Sequence, residues 1–466
     1  MWSKRSVLLR HLGGLLRPAV RAAPKSIASA SCSAHIPRVR TLATQPVEPL
    51  TSLPQVESSP KSVAITWPSG TTSRFHYLWL RDHCRCAECY HATTKQRLLD
   101  TFQIPTGIQP ERMSATPDGL HVVWGNEQHT SVFPWQWLMR HAYSAPKQAP
   151  SGELTFGTSG VGAASHGYGK TVWGSEIASV RPTVEYEGVM ESDDVLLDWL
   201  NNIDRYGFSF VSGMPTTPEA TEAVIRRIAF IRETHYGGFW DFTSDLAHGD
   251  TAYTDIALGA HTDTTYFTDP AGLQMFHLLH HYSKDQTDFR DKYTGTPLGG
   301  SSLLVDGFYA AQQLHARHPE LYNVLRTTRL RGHSAGDEDT LILPLLPSGY
   351  TVFEHDPLSN DLVLVRYNNS DRSVLQVDED KVEAVYEALR AWNAIITDPG
   401  TEYWFPLQPG TGMIFDNHRV LHGRSQFVGS RRLCGAYVPH DDYRSKLSVL
   451  RNRKMHDTRS VWDEGL

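Results

Sequence analysis

From about residue 250 to residue 438 the chain consists of short apolar runs cut by Gly, Pro, Asn and Asp. TAYTDIAL, GLQMFHLL, SSLLVDGF, DLVLVRYN, EYWFPL, GTGMIFDN and LCGAYV have the length of strands, not helices. One helix is predicted among them, at about 379–396, with Val382, Val385, Leu389, Trp392 and Ile396 on its apolar face. Upstream, Ser192-Asp193-Asp194 predicts an N-cap before Leu196, Leu197, Trp199 and Leu200. A strand over 208–211 and a helix over 217–234 follow. The expected fold is mainly β with flanking helices, a sandwich or jelly roll spanning 186–455. No GxGxxG follows a strand and no GxxxxGK[ST] occurs, so a nucleotide-binding fold has no support.

Residues 60–145 carry a weak internal repeat. VAITWPSGTTSRFHYLWLRDHC from Val63 is echoed by LHVVWGNEQHTSVFPWQWLMRHAY from Leu120. Each copy reads as a β-hairpin followed by Trp-Leu and an Arg, which predicts a small β-domain. Residues 146–185 are rich in Gly, Ser and Ala and read as a linker. Residues 1–47 hold eight Lys or Arg and no acid, the pattern of an organellar transit peptide. Removing those eight charges takes the net charge from −7 to −15, which argues against a nucleic-acid partner. No run reaches the ~18 apolar residues of a membrane span, so no integral membrane segment is expected.

Of the five cysteines, Cys84, Cys86 and Cys89 fall together. Thiolates at this spacing converge on one tetrahedral ion such as Zn²⁺, with His83, His91 or His129 as the fourth ligand. Such a closed site is structural rather than catalytic.

His261-Thr262-Asp263 is an HxD pair, and on a strand i and i+2 point the same way. With a distant His it forms the facial triad of non-haem Fe(II) oxygenases. Among 23 histidines other pairs arise: His248/Asp250, His440/Asp442 and His318/Glu320. Only His261 has strands running on to a further histidine, His422 in NHRVLHGR. A dicarboxylate cosubstrate needs an arginine, and Arg424, Arg431 and Arg432 all follow His422.

LWLRDHCRCAECY, HTDTTYF, LLVDGFYAA, RYNNSDR, NHRVLHGR and RRLCGAY resemble the family of γ-butyrobetaine hydroxylase and trimethyllysine dioxygenase over most of residues 60–450. The resemblance implies a double-stranded β-helix preceded by a zinc domain, with Fe(II), 2-oxoglutarate, O₂ and, as reductant, ascorbate. It assigns iron to His261, Asp263 and His422, and zinc to Cys84, Cys86, Cys89 and His129. It favours Arg431 for 2-oxoglutarate, with Ser302 beside it. An aromatic cage for a trimethylammonium group maps to Tyr236, Trp240, Tyr253 and Tyr437, and Asn368 or Asn369 to the substrate carboxylate.

Two small-molecule substrates follow from this resemblance. Trimethyllysine, hydroxylated at C3 as the first step of carnitine biosynthesis, has an α-ammonium that γ-butyrobetaine lacks. Asp250, three residues before Tyr253, supplies a carboxylate where the butyrobetaine enzyme carries Asn. That residue and the basic N-terminus favour the trimethyllysine reaction in the mitochondrial matrix. Butyrobetaine hydroxylation and a non-catalytic binder of trimethylammonium ligands are the alternatives, and a homodimer is the assembly carried forward.

Overall fold

A computed structural model describes residues 52–125, 129–142, 154, 156, 169–243, 254–285, 287–337, 340–343 and 349–456. The expected transit segment, most of the expected linker, Asp250 and Tyr253 lie outside the described residues.

The strands Ser302–Asp306 and Gly412–Asp416 are buried at every position. A strand covered on both faces reads as an unbroken apolar run, which is why alternation is weak there. Two sheets account for this. The larger has the order Thr183–Glu185, Phe208–Ser212, Gly412–Asp416, Leu273–Tyr282, Ser430–Val438, Phe239–Thr243. It is antiparallel except where Thr183–Glu185 joins Phe208–Ser212 in parallel. The smaller has the order Leu258–His261, Val420–Arg424, Ser302–Asp306, Tyr403–Phe405 and is wholly antiparallel.

The sheets face each other across one apolar cluster that includes Phe208, Phe210, Leu278, Leu304, Phe405 and Phe415. Outside the larger sheet, Ala436 and Val438 pack with helix residues such as Trp199, Ile225 and Tyr443. Outside the smaller sheet, Leu303, Val305 and Leu421 pack with Phe308, Tyr322 and Trp392.

The local signals explain most boundaries. Ser192 caps the helix Asp193–Tyr206 by accepting from Asp194 N, and Gly207 ends it at φ +79°. Thr217 caps Pro218–Ile228, which is shorter than the predicted 217–234. The chain leaves that helix because Arg232 N donates to the Tyr437 carbonyl, across to the larger sheet. Of the described part of TAYTDIAL, residues 254–258, only Leu258 belongs to a strand. The carbonyls of Thr254 and Ile256 accept from Arg424 Nη2 instead of joining a ladder.

Gly307–Arg317 and Pro319–Thr327 cover the run QQLHARHPELYNVL, whose pattern is helix-like, and a further helix, His440–His456, was not expected. The described end of the expected linker is not free-standing. Trp173 is 1% exposed in the core between the sheets, and its backbone N–H donates to Asp306 Oδ2. Residues 183–185 form an edge strand of the larger sheet.

The N-terminal repeat is deeper than two hairpins. Each copy is a three-stranded antiparallel sheet followed by a short helix: Gln55–Ser58, Ser62–Thr66, Thr72–His76 and Tyr77–Asp82, then Pro110–Thr116, Gly119–Trp124, His129–Phe133 and Trp135–Arg140. At the end of each helix the capping histidine stacks on the Trp four residues earlier and bonds its carbonyl. Trp79–His83 centroids are 4.3 Å apart and Trp137–His141 centroids 4.4 Å apart. The two tryptophans meet at 5.4 Å.

Candidate functional site

His261 and His422 are cross-strand partners in the smaller sheet, and their rings lie 4.3 Å apart. Asp263 Oδ1 is 3.2 Å from His261 Nε2 and 3.6 Å from His422 Nε2. Ligands at ~2.1 Å on one face of an octahedron lie about 3 Å apart, so this donor set fits a facial triad. His261 Nδ1 donates to the Gly259 carbonyl at 2.8 Å, which leaves Nε2 with its lone pair turned to the triad.

Burial works to raise the Asp263 carboxyl, but His422, His261 and Tyr437 outweigh it and hold it well below the usual carboxylate range. Burial, then the neighbouring His261, push His422 down to about 3, so it is a neutral imidazole able to ligate. The other Asp263 oxygen, Oδ2, accepts from Tyr437 Oη at 2.7 Å. Burial, then Asp263, raise the Tyr437 phenol well above its ordinary value, so it stays a donor. Gln274 Nε2 lies 3.5 Å behind that hydroxyl.

The sequence reading missed Asn417. Its Oδ1 accepts from Asp263 N at 2.8 Å, and its Nδ2 donates to the carbonyls of Asp263 and Ala271. Only its place beside the HR of NHRVLHGR hinted at this, since a brace of this kind depends on tertiary contact.

The triad opens on a cavity of about 320 Å³. At residues 431, 433 and 437 the strand Ser430–Val438 turns side chains into it, as strand alternation requires. Arg431 and Tyr437 therefore lie on one face, about 20 Å apart along the strand. Arg432 points the other way and pairs with Asp241, and Cys434 lies against Thr221.

Arg431 is 4% exposed, and its Nε has no partner among the described residues. Burial, then the charge of Arg424, push it down to about 9. A buried cation in this state is stabilised by a carboxylate delivered to it. Gly300, at φ +73°, lets the chain pass close: a Cβ there would lie 3.2 Å from Arg431 Nε. Ser302 lines the same cavity, cross-strand from Arg424. Arg424, the remaining candidate, is engaged with backbone carbonyls.

Tyr236, Trp240 and Tyr437 all line the cavity, and Trp240 meets Tyr437 edge-on at 5.8 Å. Tyr266 joins them unforeseen, its hydroxyl 3.5 Å from that of Tyr236. Trp240 lies flat on the sheet because residue 435 is glycine; a Cβ there would come 2.4 Å from its ring. Asn368 and Asn369 also line the wall.

The three cysteines converge on His129. Its Nε2 is 3.3, 3.6 and 3.5 Å from the sulfurs of Cys84, Cys86 and Cys89. Tetrahedral zinc would set such S···N separations at about 3.6 Å. Glu88 lies 3.3 Å from His129 Nδ1, a carboxylate on the ring's far nitrogen. His83 is turned to Trp79, and His91 Nδ1 accepts from Thr94 N, so neither joins the cluster.

Of the competing pairs, the two that lie among the described residues do not join His422. His318 and Glu320 are exposed, 3.9 Å apart. His440 lies 3.5 Å from Asp416 and stacks on His418 at 4.4 Å, pinning the last helix. His248 and Asp250 are outside the described residues.

Residues 166–437 match the family described as taurine catabolism dioxygenase TauD, TfdA family. Residues 55–139 match the γ-butyrobetaine hydroxylase-like N-terminal family. A trimethyllysine dioxygenase of Meyerozyma guilliermondii is 40% identical, covering 84% of this chain and 93% of its own length. The mitochondrial trimethyllysine dioxygenase of Gallus gallus is 37% identical, covering 84% and 90%. A γ-butyrobetaine dioxygenase of Pseudomonas sp. is 30% identical, covering 86% and 97%. With a TauD-type domain behind a butyrobetaine-hydroxylase-type N-terminal region, and greater identity to the trimethyllysine enzymes, the chain belongs to the trimethyllysine dioxygenase family of Fe(II)- and 2-oxoglutarate-dependent oxygenases.

Proposed function

We propose that the cavity hydroxylates N6,N6,N6-trimethyllysine at C3, releasing succinate and CO₂, in the first step of carnitine biosynthesis. The observation that carries this reading is the convergence of His261, Asp263 and His422 at a cavity with a buried arginine and a set of aromatic rings. His261, Asp263 and His422 would hold Fe(II), which would supply O₂ activation coupled to 2-oxoglutarate, with ascorbate as the reductant. Arg431, assisted by Ser302, holds the distal carboxylate of 2-oxoglutarate. Tyr236, Trp240 and Tyr437, with Tyr253, enclose the trimethylammonium group. That group cannot donate a hydrogen bond, so the rings hold it by cation–π attraction and desolvation, worth ~2 kcal/mol or more. Asn368 takes the substrate carboxylate; Asp250, which the sequence offers for the α-ammonium, lies outside the described residues. With the substrate gripped at both ends, position decides which carbon reacts.

The two facing sheets are read as a double-stranded β-helix. Cys84, Cys86, Cys89 and His129 are read as a structural zinc site, supported by the sulfur–nitrogen spacing. The domain plan is a transit peptide over 1–47, a zinc domain over 60–145, a linker that ends before Trp173, and an oxygenase domain to 455. A matrix location and a homodimer belong to the same proposal.

The test is mass spectrometry of purified protein given Fe(II) and 2-oxoglutarate with trimethyllysine and γ-butyrobetaine side by side. Trimethyllysine gains one oxygen atom with stoichiometric succinate if the reading holds. Preferential oxidation of γ-butyrobetaine, or no oxidation of either, overturns it.

A further inference from the structure

The cavity wall carries two carboxylates among the described residues, Asp263 and Asp371. Asp263 is committed to the histidines and Tyr437. Asp371 ends a run, Tyr367 to Asp371, that lines the cavity without interruption. Asn368 Nδ2 donates to Asp371 Oδ2 at 2.9 Å, and His333 N donates to the Asp371 carbonyl.

The same run is clasped to the triad. Thr262 N, between His261 and Asp263, donates to the Tyr367 carbonyl at 2.7 Å, and Tyr367 N donates to Thr262 Oγ1 at 2.9 Å. Asp371 is thus held in register with the metal ligands.

Trimethyllysine presents two cations of different chemistry. The quaternary group suits aromatic faces, whereas the α-ammonium has three N–H donors and calls for a carboxylate. Arg424 and Arg431 make another part of the cavity positive. We infer that Asp371 is a specificity-determining residue that receives the α-ammonium and, with Asn368, reads the amino-acid end of the substrate. This rests on the trimethyllysine reading above. A substrate with no amine offers the Asp371 carboxylate no donor, so the residue favours trimethyllysine.

The experiment compares trimethyllysine with 6-(trimethylammonio)hexanoate, which lacks only the amine. Both are titrated calorimetrically into Mn(II)- and 2-oxoglutarate-loaded wild type, D371N, D371E and D250N. Turnover of trimethyllysine by wild type is measured first, and its absence overturns the reading of the reaction. Given turnover, D371N is expected to weaken trimethyllysine binding by roughly 10-fold or more while leaving the amine-free analogue within about twofold. The ratio between the two ligands then collapses toward one, and D371E restores part of it. Asparagine still accepts from Asn368, so circular dichroism and melting of D371N are expected to match wild type. Equal loss for both ligands, or discrimination that survives D371N and vanishes only in D250N, overturns the assignment.

Discussion

The hydroxyl of Tyr437 donates to Oδ2 of Asp263 at 2.7 Å, while Oδ1 of the same carboxylate faces His261 and His422. One phenol therefore fixes which oxygen is offered to a metal and lends its ring to the wall of the substrate cavity. Partners behind a metal ligand typically contribute 10–100-fold in affinity. Tyr437→Phe keeps the ring and removes the donor. Anaerobic Fe(II) titration is expected to show affinity lower by about 10-fold, with trimethyllysine KM changed by less than about threefold.

Asn417 braces the backbone of Asp263 from both sides and is 1% exposed. Asn417→Ala leaves an N–H and two carbonyls buried without that partner. At about 1 kcal/mol for each lost bond, roughly 3 kcal/mol of stability is expected to disappear. Urea unfolding of the metal-free variant measures this directly, and the same variant is expected to bind Fe(II) more weakly.

The cysteine cluster carries its own prediction. Burial pushes the Cys89 thiol up to about 12, so a thiolate there requires a cation beside it. His129→Ala is expected to lower zinc content from one atom per chain to near zero by plasma mass spectrometry. Since metal binding to such sites is folding free energy, the melting temperature is expected to fall by ~5 °C or more.

His277 supplies a pH dependence remote from both metal clusters. It is fully buried against Thr221, and burial pushes it down to about 4. The unfolded chain takes up that proton near pH 6.5. Between pH 6.5 and 4 the unfolded state thus binds more protons, so stability rises with pH and is lost as pH falls. The full change is roughly 3 kcal/mol. His277→Gln has no proton to bind, and its urea midpoints are expected to vary less steeply across this window.

Strand positions were legible because a short apolar run bounded by Gly or Pro carries its own ends. GLQMFHLL and GTGMIFDN lie within or overlap Leu273–Tyr282 and Gly412–Asp416. The helix His440–His456 was not legible, since it buries only a narrow stripe of Tyr443, Leu447 and Leu450 and hangs its arginines on Asp204. Among candidate site residues, His261, Asp263 and His422 were reached from an HxD pair with rivals, the strands that follow it and the family resemblance together. Asn417, Tyr266 and Asp371 were not, because an amide, a phenol or a carboxylate acquires its role only from what the fold sets beside it.

Among the described residues, the strand Leu258–His261 lies at the border of the smaller sheet and has a ladder partner on one side only, Val420–Arg424. An ion gripped by His261 and His422 would rivet this border strand to its neighbour. Amide exchange at residues 258–261 should then slow on loading. Cellular scarcity of ferrous ions would act twice, idling the polypeptide and loosening the seam at which proteolysis can begin.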